Sequence, residues 1–458
     1  MSRLIVISNR VSAGGGAQGG LAVALTAALR ERGGIWFGWS GERTEEFTGH
    51  INFQRREGVT TATVDLEDQD IEEYYNGYAN RTLWPLFHYR IDLAEYERDF
   101  AGGYQRANER FADTVRPLIE PDDVVWVQDY HMFPLGAELR KRGVANRMGF
   151  FLHTPWPPRR LLVTLPEAPA LVQSLLEYDL IGFHTQEWLD SFGDYARDEL
   201  GGTIDEDGVL TLGKRRVQLI ICPIGIDARE FSALAASERA QETHERVVRS
   251  AVGRDIIVGV DRLDYSKGLE ERFLGYERYL VGHPEQRKEV VLLQIAPPSR
   301  GTVESYQRIR NTLESLAGRI NGAHAGLDWV PIRYVNQGYP RDVLAGVYRA
   351  SRIGLVTPLR DGMNLVAKEY VAAQNPEDPG VLILSRFAGA AEQMKEALLV
   401  NPHSAEEISD AIRRALAMPR DERVVRWQAL MRGVQEEDVM WWCKCFTDAL
   451  MQVPVPVA

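Results

Sequence analysis

The chain has 458 residues, 45% of them hydrophobic and 26% charged, the balance of an ordinary globular protein too long for one core, which predicts two domains or three. A formal net charge of -12 with no basic stripe excludes a general nucleic-acid binder, so a phosphorylated small molecule would need a local concentration of Arg and Lys. The opening MSRLIVISNR holds an apolar run far too short for a secretory core or a membrane span. Cys222, Cys443 and Cys445 show no paired framework, so reduced thiols and a cytoplasmic enzyme are expected.

In chain order, short apolar runs alternate with longer amphipathic stretches: LIVISN, LAVALTAALRE, VVWVQD, LGAELRKR, MGFFLH. This is βαβ rhythm, and it predicts parallel sheets with helices on both faces. The polar, Ala/Glu-rich IDAREFSALAASERAQETHERVV reads as a helical connection between domains, with a boundary near residues 225 to 250. A second series follows in IIVGVDR, VVLLQIAP, WVPIRYV, IGLVTPLR, VLILSR and ALLVNP, which makes two doubly wound halves. The last stretch carries Trp441, Trp442 and Phe446, an aromatic density that predicts a helix docked back onto the first domain.

The most informative segment is VDRLDYSKGLEERF, Val260 to Phe273. The apolar DIIVGV before it reads as a buried strand and LEERFLGYERYL after it as a helix, so Arg262 and Lys267 fall near the strand's carboxyl end. Open parallel sheets bind ligands at that edge, and an Arg fork with a Lys point charge suits a diphosphate. A solvated loop that caps a helix is the alternative for an isolated string of this kind.

Three further groups keep it company. SNRVSAGGGAQGGLAVAL puts Gly19 and Gly20 at a helix start, where backbone N–H groups can face an anion, although a flexible loop before a helix explains it equally. GLVTPLRDGMNLVAKEYVAAQ gives a strand, a turn with Arg360, Asp361 and Gly362, and a helix from about Asn364. Gly362, Met363, Asn364 and Leu365 make a second anion seat there, and Glu369 is placed to accept from vicinal hydroxyls, although for an isolated Glu an ion pair with the neighbours of Lys368 on a solvated face is the better reading. His153 in FFLHTPWPP, Asp129 in VVWVQDYH and Arg300 in IAPPSRG end buried strands and read as site residues, whereas His131 reads as a packed structural partner.

For metals, Asp68-Gln69-Asp70 superficially matches a D-x-D sequence but lies in an acidic stretch that reads as a helix N-terminus. The nine His lack ligand spacing, and Cys443-Lys444-Cys445 lacks a zinc spacer, so no metal ligand in the protein is expected.

Taken together, SNR, GGLAVAL, GGIWFGWSGE, EYYN with LWP, VVWVQDYH, FFLHTPWPP, PIGID, VDRLDYSKGLEERF, QIAPPSRG, AGRING, GLVTPLRDGMNLVAKEYVAAQ and LSRFAGAAEQM resemble glycosyltransferase family 20, the retaining trehalose-6-phosphate synthases, over nearly the whole chain. The resemblance implies an α/β fold of GT-B type, two doubly wound Rossmann-like domains facing across a deep cleft. An acceptor domain over residues 1–228, a nucleotide-sugar domain over 229–438 and a helix over 439–458 crossing back are the implied divisions.

It implies UDP-glucose as donor and glucose 6-phosphate as acceptor, with no cofactor, metal, nucleic acid or membrane. By motif position Arg262 and Lys267 would hold the diphosphate, Gly20 would close over it, Glu369 would bind the ribose, and Asp361 and His153 the donor glucose. Trp39 would line the sugar pocket and Tyr339 the base loop. Arg10, Tyr75, Trp84 and Arg300 would clamp the acceptor phosphate, with Asp129 on the acceptor glucose. HTPWPP stands where many relatives have HIPFP, and Gly338 where many have His, which puts base selectivity in question. A glucosylglycerol-phosphate synthase and a non-catalytic sugar-nucleotide sensor are the competing readings, the latter weakened by the presence of Arg262, Lys267, Asp361 and Glu369. The sequence is silent on oligomeric state and leaves a homo-oligomer open.

Overall fold

The computed structural model describes residues 2–11, 20–56, 58–299 and 304–454. The chain divides into two compact units, Met1–Ile224 with Val439–Ala458, and Gly225–Asp438.

The first unit is built on strands β1 (Leu4–Arg10), β2 (Gly34–Thr44), β3 (Asn52–Arg56), β4 (Val59–Glu67), β5 (Val124–Gln128), β6 (Met148–Phe151), β7 (Leu180–Phe183), β8 (Thr203–Ile204), β9 (Val209–Leu212) and β10 (Arg215–Ile221). They form one sheet in the order β3-β4-β2-β1-β5-β6-β7-β10-β9-β8. From β4 to β10 every neighbour pairs parallel, and only β3, β9 and β8 add antiparallel ends. The central strands are apolar on both faces because helices cover both. From β1 the chain winds outward to β2 and later returns to β5 on the other side, so the strand order reverses between β1 and β5.

The closing helix Val439–Gln452 belongs to this unit. Phe446 stacks on Trp126 with ring centroids 4.7 Å apart, and Trp442 lies 4.8 Å from the same indole. Two strand glycines make the seat. A Cβ on Gly149 would stand 2.7 Å from the Phe446 ring and one on Gly182 2.9 Å from it.

The second unit is a six-stranded, wholly parallel sheet of β11 (Asp255–Val260), β12 (Val290–Ile295), β13 (Ile332–Val335), β14 (Ile353–Val356), β15 (Val381–Ser385) and β16 (Leu398–Val400), ordered β13-β12-β11-β14-β15-β16. Here the reversal falls between β11 and β14. The helices Ala228–Ala235 and Glu238–Ala251, which read from sequence as a connection between domains, lie inside this unit. Gly346, on the helix Arg341–Ala350, shows why: a Cβ there would meet Ala240 O at 2.4 Å, so the two helices pack backbone to backbone. Polar composition marks their outer faces, while Ala240, Thr243 and Ala251 are buried.

Candidate active site

In the second unit β11 runs into a tight turn whose shape is set by two residues. Asp264 is fully buried, and its Oδ1 accepts from Ser266 N at 3.0 Å and Ser266 Oγ at 2.9 Å, which closes the turn Tyr265–Lys267. Gly268 follows at φ +63°, where an added Cβ would stand 2.0 Å from Thr357 O. Lys267 is thereby aimed across the switch point, and its Nζ donates to Asp361 Oδ2 at 2.5 Å. Arg262 is half-exposed on the same loop, its guanidinium 3.8 Å from Asp264 Oδ2.

Asp361 lies in the turn after β14. Asn364 Nδ2 donates to its Oδ2 at 3.1 Å, and the Asn364 side chain also caps the helix Leu365–Ala373 by accepting from Ala367 N. Asn364 adopts φ 81°, a left-handed backbone that asparagine tolerates better than most residues and that recurs at functional turns. Gly362, Met363, Asn364 and Leu365 thus lead into a helix start at the carboxyl edge of the sheet, where backbone N–H groups and the dipole favour an anion. Glu369, on the second turn, is half-buried, and burial pushes its carboxyl up to about 7 against the opposing charge of Arg341. The Tyr348 hydroxyl is near enough to perturb it without forming a hydrogen bond of ordinary geometry. Tyr339 is half-buried in the loop after β13 and lines a cavity of about 490 Å³ with Val335, Gln337 and Val343.

In the first unit the equivalent edge gathers a second group. Arg10 ends β1 with its guanidinium 5.6 Å from the Trp39 ring centre. Trp39 is 5% exposed, donates its indole N–H to Glu42 O at 2.7 Å, and meets Tyr75 edge-on at 5.5 Å. Tyr75 stacks on His131 at 6.0 Å, and Trp84 lies 5.6 Å from Tyr130. Trp39, assigned with the donor residues by resemblance, therefore packs among the residues assigned to the acceptor.

Asp129, just beyond β5, sits at φ 71° and accepts from His153 N at 3.2 Å. His153 Nε2 is 2.9 Å from Gln128 Oε1, an acceptor-only atom, so Nε2 carries the ring proton and Nδ1 remains an acceptor. Burial pushes His153 down to about 3, which keeps the ring neutral at pH 7. Gly20 opens the helix Gly20–Arg32. Arg300 lies outside the described residues, as does the glycine-rich loop before Gly20.

Two supporting features were not visible in sequence. Arg272, fully buried, gives 2.7 Å to Asp261 Oδ2, 2.8 Å to Gln294 Oε1 and 3.0 Å to Thr357 Oγ1, which joins β11, β12 and β14 directly under the Lys267 turn. Its signal was an Arg on the apolar side of a helix, in register with Leu269, Phe273 and Tyr276. The second feature is the segment Ile71–Leu83, which carries Tyr75 and is wound as a π-helix, a form concentrated at functional sites.

The acidic Asp68-Gln69-Asp70 holds ion pairs. Asp68 meets Arg43 at 3.0 Å on the surface, and the fully buried Asp70 is bonded by Arg106 at 2.9 Å and by Arg110. Among the described residues no group of three His, Cys, Asp or Glu could hold a metal ion.

The profile of glycosyltransferase family 20 matches residues 8–452. The chain belongs to glycosyltransferase family 20. A trehalose-6-phosphate synthase of Sinorhizobium fredii is 48% identical over 456 residues, 98% of each chain. An alpha,alpha-trehalose-phosphate synthase (UDP-forming) from Burkholderia xenovorans, solved in complex with glucose-6-phosphate, superposes with a TM-score of 0.95 at 46% identity, covering 98% of this chain and 100% of that one. The Escherichia coli trehalose-6-phosphate enzyme bound with UDP-2-fluoro glucose gives a TM-score of 0.96 at 43% identity over 99% and 100% of the two chains. The fold is accordingly the GT-B fold of this glycosyltransferase family. No helix among the described residues is long and apolar enough to cross a membrane.

Proposed function

We propose that the protein is a retaining glucosyltransferase that moves glucose from UDP-glucose to glucose 6-phosphate, giving α,α-trehalose 6-phosphate and UDP. The observation that carries this reading is the convergence of Lys267, Asp361 and a helix start at one sheet-reversal point, in a chain akin over its whole length to enzymes holding glucose-6-phosphate and UDP-2-fluoro glucose.

The donor diphosphate is read onto Arg262, Lys267 and the N–H groups of residues 362–365, where charge developing on the leaving group meets fixed donors that need no reorganisation. Glu369 takes the ribose hydroxyls and the loop at Tyr339 the base. Asp361 and the Nδ1 of neutral His153 accept from sugar hydroxyls. With the leaving phosphate stabilised in this way, the acceptor hydroxyl approaches on the same face and gives its proton to the departing oxygen, which accounts for retention without a protein nucleophile. Arg10, Tyr75, Trp84 and Arg300 are read as the acceptor phosphate clamp and Asp129 as a partner of the acceptor glucose. A cytoplasmic setting is our reading for reduced Cys222, Cys443 and Cys445. The deciding experiment is product analysis with glucose 6-phosphate or glycerol 3-phosphate as acceptor, against UDP-, GDP- and ADP-glucose. Preferred turnover of glycerol 3-phosphate would overturn the assignment, and absence of any transfer would favour a sensor.

Two outcomes follow at once. Arg10→Ala is expected to raise the KM for glucose 6-phosphate about 10- to 100-fold, since a charged hydrogen bond to phosphate contributes roughly 1.5 to 3 kcal/mol. The slow hydrolysis of UDP-glucose, which uses no acceptor, should be unchanged, and Arg300→Ala should behave alike. Equal weakening of both substrates would move these arginines out of the acceptor site. Exhaustive EDTA should leave turnover intact, because the cations at Arg262 and Lys267 do the electrostatic work of a divalent ion on the diphosphate. Complete loss restored by one specific metal would refute that.

A further inference from the structure

We infer that Lys368, Gln393 and Glu437 form a positioning brace that holds the donor-binding turn in shape and ties it to the segment where the chain leaves the second unit. The inference rests on the donor-site reading above. Lys368 neighbours Glu369 on the helix Leu365–Ala373 but points away from it into the protein and is 1% exposed. Its Nζ donates to Gln393 Oε1 at 2.8 Å, and Gln393 Nε2 in turn donates to Glu437 Oε2. A lysine so enclosed is costly unless the enclosure uses it. Burial pushes it down to about 7, with the negative charge of Glu437 opposing.

Gln393 directly follows a short segment that grips the donor turn through the backbone. Asp361 N donates to Phe387 O at 3.2 Å, Gly389 N to Asp361 O at 3.0 Å and Ala390 N to Met363 O at 2.8 Å. Contact there is so close that a Cβ on Gly389 would stand 2.0 Å from Gly362 O. Lys368 therefore clamps the helix on one side of the Asp361–Asn364 turn to the segment on its other side. Glu437, the far end of the brace, is the penultimate residue of the second unit, and its carbonyl lies where a Cβ on Gly225, the unit's first residue, would come within 2.2 Å. Both crossings of the chain thus meet at the residue on which the brace ends. None of the three side chains needs to touch substrate. Their effect is to fix the backbone donors of residues 362–365, whose position a diphosphate senses at sub-ångström precision.

The test is a double-mutant cycle read on nucleotide affinity. Lys368→Met, Glu437→Gln and the double variant are titrated with UDP by calorimetry, alongside their melting temperatures. Each single change is expected to raise the Kd for UDP about tenfold. The double should raise it about tenfold as well, not a hundredfold, because one brace is broken either way. The KM for glucose 6-phosphate should stay within about twofold. A merely structural role would lower the melting temperature and leave the Kd alone, and that result, or a multiplicative double variant, would overturn the inference. If Lys368→Met does not fold, Gln393→Ala with Glu437→Gln carries the same cycle. Lys267→Ala serves as control: retained UDP affinity there would defeat the donor-site reading itself, whereas loss there with unchanged Lys368→Met would defeat only the brace.

Discussion

Lys267→Ala is expected to lower kcat/KM for glucosyl transfer by about 10²- to 10³-fold, the size seen when one preorganised donor to a developing charge is removed. The loss has two sources. A compact ammonium, 12% exposed, disappears from the mouth of the β11 turn, and Asp361 loses the partner at 2.5 Å that offsets its charge. In that variant the Asp361 carboxylate would keep its bond from Asn364 but lose the cation that offsets its charge, and it would repel the donor diphosphate. Adding Asp361→Ala to Lys267→Ala should therefore recover part of the UDP affinity without recovering turnover. Lys267→Arg should not rescue, since a single close contact from Nζ to Asp361 Oδ2 at 2.5 Å suits a point charge better than a planar fork. Initial rates with calorimetric UDP binding check all three, and wild-type-like turnover in Lys267→Ala would remove this residue from the chemistry.

The division between what could and could not be read from sequence follows the range of the interactions. The strand–turn–helix at Val260–Phe273 was legible because period, turn residues and charge all lie within a dozen positions, and the structure has β11, the Lys267 turn and the helix Leu269–Gly282 in those places. The pairing of Lys267 with Asp361 spans 94 positions and needs the order β11-β14, which no local pattern encodes. Arg272 lies on the apolar side of its helix with Leu269, Phe273 and Tyr276, but no local pattern shows what it meets. Only the fold shows that Gly259 makes room for it, a Cβ there standing 2.4 Å from the Arg272 guanidinium and from Gln294 Oε1. The helices between 228 and 251 read as a connection because their composition reports the exposed face, whereas the mostly small residues that bury the other face carry a weak hydrophobic signal. Asp70 read as part of a helix N-terminus, and its two arginine partners lie 36 and 40 positions further on, beyond any local pattern.

Glu369→Gln is expected to weaken UDP binding roughly tenfold and at the same time to stabilise the protein above pH 7. Function and stability pull this residue in opposite directions. Burial lifts the carboxyl from its ordinary 4.5 to about 7 in the folded state. Between those values the folded protein binds a proton that the unfolded chain has already released, so stability falls as pH rises through this window and the penalty is complete above about 7. Glutamine does not titrate and escapes it. The variant should therefore match the wild type near pH 4.5 and exceed it at pH 8 by on the order of 1 to 2 kcal/mol, a partial conversion because the side chain is only half-buried. Lys368 titrates in both proteins and cancels from the comparison. Binding moves the other way: ribose hydroxyls donate to a carboxylate, so UDP affinity in the wild type should drop as pH falls below 7, while the glutamine variant stays flat at its weaker value. Urea midpoints at the two pH values and UDP titrations from pH 6 to 8 measure both halves. A residue that merely packs would lose stability on substitution at every pH and leave the nucleotide unaffected, and that pattern would take Glu369 out of the donor site.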